Sequence, residues 1–101
     1  MNFFNKAAMN KAKQLQQKII AAQAQLEQAE CEASAGGLVT AKVNGKYRVT
    51  ALTIKPEALQ QGDSELLADT VMAAVNKAME EMAAKSEATM GKLTGGLGLP
   101  F

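Results

Sequence analysis

Residues 38–56 read LVTAKVNGKYRVTALTIKP. Two runs rich in β-branched residues flank Asn44-Gly45, the preferred central pair of a type I′ turn, so the stretch predicts an antiparallel hairpin over about 38–55. A two-residue turn at that point pairs Val43 with Lys46 and Ala41 with Arg48. It also sets Val39, Ala41, Val43, Leu52 and Ile54 on one face. That apolar face needs a cover. Pro56 cannot donate to a ladder and ends the second strand. Two strands alone are marginally stable, and residues 31–35, leading into Gly36-Gly37, are the candidate for a third.

The cover lies on either side of the hairpin. Residues 5–32 contain no proline or glycine and are rich in Ala, Gln, Lys, Leu and Glu, which predicts one long helix. Ala8, Ala12, Leu15, Ile19, Ala22, Leu26 and Ala29 recur at spacings of three and four and draw a narrow apolar stripe along it. Glu27, Glu30 and Glu32 crowd its C-terminal end, the unfavourable end for acids in the field of the helix dipole. After a short turn at 58–62, Asp63 or Ser64 is positioned as N-cap of a second helix over about 64–90, with Gly91 as its terminator. Residues 91–101 read as a flexible tail. The whole is a single α+β domain of 101 residues: long helix, short antiparallel sheet of two or three strands, long helix.

The lengths have a consequence. A helix of ~28 residues is ~42 Å long, against ~26 Å for a strand of ~8 residues. Both helices must therefore overhang the sheet, and the connections put both overhangs at the same end. An overhang exposing Leu15, Ile19, Met79 and Met82 calls for cover by the partner helix, a second subunit or both, and from this a homodimer with projecting helices is expected.

Composition narrows the chemistry. There is no histidine, and the lone Cys31 can form neither an internal disulfide nor a cysteine-rich zinc site. The serines, threonines and carboxylates form no nucleophile, base and orienter set, so no enzyme activity, cofactor, metal or small-molecule substrate is expected. The single thiol fits a reducing cytoplasm, and no apolar stretch approaches the ~20 residues that span a bilayer.

The net charge of +1 argues against a strongly basic nucleic-acid binder, yet the charges are segregated. Residues 1–26 carry four lysines and no acid, and 34–56 carry three lysines and Arg48 with no acid, whereas 57–101 carry seven acids against three lysines. Lys6 and Lys13 lie near the back of the apolar stripe, and Lys11 and Lys18 flank it. These four are candidate phosphate contacts, with Lys85 and Lys92 joining from the other overhang. A plain solvated helix surface is the alternative. Lys42, Lys46 and Arg48 are secondary candidates that serve equally well, with Lys55, as charges protecting a sheet edge.

Several strings resemble the YbaB/EbfC family of bacterial nucleoid-associated proteins: KAKQLQQKI at 11–19, Ala-Gly-Gly-Leu-Val at 35–39 leading into Val43-Asn44-Gly45, Ile54-Lys55-Pro56-Glu57, the 67–76 run with Asp69 and Val71, and Thr94-Gly95-Gly96-Leu97 with Leu99-Pro100. Lys55 departs from the family, which commonly has an acid before the proline. The resemblance implies a homodimer whose terminal helices project like tweezers and bind double-stranded DNA in the nucleoid with little sequence preference. No basic helix carries the Arg, Asn and Gln cluster of a major-groove reader. The rival expectation is a prefoldin-like chaperone or assembly adaptor gripping client chains with Met72, Met79, Met82 and Met90.

Overall fold

The computed structural model describes the backbone of residues 3–96 and the side chains of residues 5–93. In chain order the elements are α1 (Phe3–Gln28), β1 (Glu30–Ala35), β2 (Val39–Asn44), β3 (Val49–Ile54), the short α2 (Pro56–Gln60) and α3 (Ser64–Gly96). The strands form one antiparallel sheet in the order β1-β2-β3. The third strand expected at 31–35 is therefore present, one residue longer at its start.

Helix α1 stops at Gln28 rather than near Glu32, and the acids explain why. In β1, Glu30, Glu32 and Ser34 alternate with Cys31, Ala33 and Ala35, so extended backbone sends the carboxylates to one face and the small apolar residues to the other. Glu32 stands opposite Lys42, and Glu30 accepts a hydrogen bond of 2.8 Å from the Thr50 hydroxyl. Acids that would burden a helix C-terminus thus become the outer face of a strand.

The two hairpin turns divide their labour differently from the sequence expectation. At Gly36-Gly37 both central residues have positive φ, 59° and 66°, and the Leu38 amide donates to the Ala35 carbonyl, so the primed geometry falls here. The Asn44-Gly45 type I′ turn does not form. Instead the Tyr47 amide closes on the Asn44 carbonyl at 2.9 Å, and Tyr47 takes φ 60°. The Asn44 side-chain oxygen accepts from the amides of Lys46 (2.9 Å) and Arg48 (3.1 Å), bracing a longer loop. The register shifts accordingly: Val43 faces Val49 instead of Lys46, and Ala41 faces Leu52 instead of Arg48. A bulge then leaves Thr50 as the extra residue beside Lys42, where its hydroxyl reaches Glu30. Val39, Ala41, Val43, Leu52 and Ile54 still share the inner face, as alternation requires.

Helix α3 lies across β1 and β2 and builds the core. Ala33, Val39, Ala41 and Val43 from the sheet meet Ala74, Ala78 and Met82, and small residues on both sides bring helix and sheet close together. Full burial of Met82, Val39 and Val43 contributes ~1.5–3 kcal/mol each. Asp63 is the N-cap, accepting from the Leu66 amide at 3.0 Å. Gly91 does not end the helix, which runs on to Gly96. Nothing crowds this glycine, and helix formers on both sides outweigh its modest penalty. Of the expected 91–101 tail, 91–96 is therefore helical, and 97–101 lies outside the described residues.

Candidate nucleic-acid interface

The long axis of the molecule is 74 Å, against 21 and 15 Å across it. Helix α3 alone accounts for ~50 Å of that at 1.5 Å per residue, so α1 cannot lie back over the sheet. Gln23, Leu26 and Glu27 line one shallow groove together with Gly45 and Ser86, which places the end of α1 beside the β2–β3 turn and beside α3 just after its last buried residue, Met82. From there α1 runs outward for ~35 Å to Phe3, whereas α3 continues for only ~15 Å to Gly96. Both overhangs leave the same end of the sheet, as the connection argument requires, and α1 outreaches α3.

Burial follows this plan. Leu15, Ile19, Ala22 and Leu26 on α1 are half-buried, as are Ser86, Thr89, Met90 and Leu93 on α3, and they mark a short seam between the helices. Beyond the seam, every described side chain from Asn5 to Gln14 is exposed. Lys6, Lys11 and Lys13 stand on this outer arm and Lys18 at the start of the seam, all exposed. No acid accompanies them on α1 before Glu27.

The remaining candidates divide. Lys85 and Lys92 are exposed and seven residues apart, so they share one lane of α3 past the sheet. Glu81 stands one turn before Lys85 on that helix, so this lane is less purely positive than the α1 arm. Lys46 and Arg48 are exposed beside the β2–β3 turn, next to Tyr47. Lys42 is half-buried on the outer face of the sheet, opposite Glu32, and its carbonyl accepts from the Thr50 hydroxyl that also reaches Glu30, so acids stand on the neighbouring strand. The structure thus groups Lys6, Lys11, Lys13 and Lys18 on one arm and sets Lys42 apart from them. Sequence spacing could not show the Glu32 pairing, because it depends on β1 running beside β2.

The inner face of β3 is left open. Helix α3 covers β1 and β2, and the side chains of Val49 and Leu52, which share a face with the core, remain 45% and 44% exposed. Of the methionines that a client grip would use, Met82 is wholly buried and Met79 packs against the core. Among the described residues no helix is long and apolar enough to cross a membrane.

Comparison with known proteins identifies the family. The chain matches the YbaB/EbfC DNA-binding family over residues 1–97. It is 47% identical to a nucleoid-associated protein of Alkaliphilus metalliredigens over 96 residues, covering 91% of this chain and 82% of the relative. Identity is 46% to one from Clostridium perfringens, strain SM101, with 91% and 83% covered, and 40% to one from Anaeromyxobacter dehalogenans, strain 2CP-C, with 91% and 90% covered. On the match along nearly its full length and on these relatives, the chain belongs to the YbaB/EbfC DNA-binding family, a family of nucleoid-associated proteins and not of enzymes.

Proposed function

We propose that this protein binds double-stranded DNA in the cytoplasm as a nucleoid component. It acts as a homodimer, through phosphate contacts and with little sequence preference. The observation that carries the reading is the α1 arm, which projects beyond the sheet with Lys6, Lys11, Lys13 and Lys18 exposed and free of neighbouring acids on the helix. Each lysine that meets a phosphate releases counterions, and two arms in a dimer double the number. Lys85 and Lys92 add to the same end of the molecule, with Lys46 and Arg48 as peripheral contacts.

Support for the dimer comes from the open inner face of β3. Val49 and Leu52 are aligned with Val43 and Ala41 but lack the helix that covers those residues. A second copy offers the matching apolar surface, and pairing would remove both from water. Little sequence preference follows from lysine acting as a point charge toward phosphate rather than as a fork toward base edges.

The test is a gel-shift series on unrelated duplexes at increasing salt. For about six phosphate contacts per dimer, log K is expected to fall against log salt with a slope near about −5. A slope near zero would remove phosphate contact as the source of affinity, and strong preference among the duplexes would contradict the nonspecific reading.

A further inference from the structure

In the sequence, Gly45 looked like a residue chosen for its backbone angle. The structure gives it a different task. Its φ is not positive, because Tyr47 takes the left-handed conformation of this loop. What Gly45 supplies is room. A Cβ built on it would overlap the carbonyl group of Leu26 and stand 2.9 Å from the amide nitrogen of Glu27. The Gly45 amide also donates to the Ala29 carbonyl at 3.1 Å, just past the last turn of α1. The β2–β3 turn is therefore pressed directly against the C-terminal backbone of α1.

Besides this joint, the direction of that helix rests on its seam with α3. Around the same spot Gln23, Leu26, Glu27, Gly45 and Ser86 line an open groove of about 360 Å³, so side chains do not fill the joint. The seam with α3 is short, and every described side chain of the outer arm, from Asn5 to Gln14, is exposed. A small rotation at residues 26–29 is magnified along ~35 Å of helix, so the joint decides where the arm's lysines stand.

We infer that Gly45 is the positioning residue of the α1 arm: its missing side chain lets the β2–β3 turn seat against Leu26–Glu27 and fixes the angle at which the lysines meet the duplex. The inference rests on α1 being a DNA arm, and the readouts below separate the two ideas. Asn44 belongs to the same device, since its side-chain oxygen holds the turn in shape through the Lys46 and Arg48 amides.

The test uses the full chain with Gly45→Ala. In a Cys31→Ser background, spin labels on cysteines replacing Asn10 and Gln61 report the arm-to-body distance, with unlabelled chain added so that one subunit is read. Duplex affinity is measured separately on unlabelled protein. The expected result is a shifted or broadened distance and duplex binding at least about tenfold weaker, because two arms that cannot engage together lose their mutual reinforcement. A flexible bis-maleimide bridge between cysteines replacing Gln23 and Ser86 should restore much of that binding, a rescue that general destabilisation would not show.

An unchanged distance would overturn the inference. A displaced arm with undiminished binding would also overturn it, and would count against α1 as the DNA arm as well. Should Gly45→Ala fail to fold, Asn44→Ala takes its place, since it loosens the same turn without adding an atom near Leu26. Its expected signature is a broadened distance distribution, and a distribution identical to wild type would count against the joint.

Discussion

Helices α3 and α1 are built from similar residues and used in opposite ways. Both are long and alanine-rich, 33 and 26 residues. Yet α3 buries Ala74, Ala78 and Met82 completely, while no described side chain of α1 is fully buried. Their charges differ too: α3 carries Asp69, Glu80, Glu81 and Glu87, and α1 holds only lysines before Glu27. The lesson is that packing and the display of charge compete for the same surface. The helix that folds the domain has its inner face occupied by the sheet, so its charges are confined to the faces that remain. The arm needs only to stay helical, and Ala, Lys and Gln do that without tertiary contacts while leaving the charges free.

The contrast can be broken from either side. Replacing Lys6, Lys11, Lys13 and Lys18 together by Glu is expected to weaken duplex binding by at least about a hundredfold, because phosphate contacts are not merely lost but turned into repulsions. The thermal midpoint should stay within a few degrees. Undiminished binding in a gel shift would transfer the interface to Lys46 and Arg48. Met82→Ala attacks the other helix, and truncating a wholly buried methionine is expected to lower unfolding free energy by about 3 kcal/mol, read as a shifted urea midpoint. A loss well under 1 kcal/mol would mean that α3 is not the helix that holds the fold.

Smaller effects sharpen the picture. Leu52→Lys places a charge on the open face of β3 and should raise the dimer dissociation constant at least tenfold, about 1.4 kcal/mol, by sedimentation. An unchanged dimer would move the interface away from β3. Gly91→Ala fills open space in the middle of a helix and is expected to stabilise by about 0.5–1 kcal/mol in the same urea titration. Destabilisation there would indicate that the end of α3 needs the flexibility of glycine.

Much of this architecture was legible from residue order. The hairpin, the third strand, both helices and their overhang at one end follow from β-branched runs, glycine-free stretches and lengths. What escaped was decided by neighbours distant in sequence. Glu30 and Glu32 look helical by composition, but extended pairing with β2 gives them an outward face and the partners Lys42 and Thr50. Asn44-Gly45 has the composition of a primed turn, yet the approach of α1 claims Gly45, and the positive φ passes to Tyr47. The α1 lysines were visible in the sequence as an acid-free run, and the structure adds that they stand exposed on one arm. The acid opposite Lys42 was not visible, because no local pattern reveals which strand lies alongside.

The molecule also has two poles of different character. The described ends of α1 and α3 share one, while the other holds the Gly36-Gly37 turn, the α2 segment and Gly62, whose surroundings are open. For anyone attaching a fluorophore or surface tether, the choice is not neutral. A bulky group near Phe3 or Gly96 would sit beside the exposed lysines, in the path of the proposed DNA contacts, whereas a label in the Gly62 loop stands at the opposite pole.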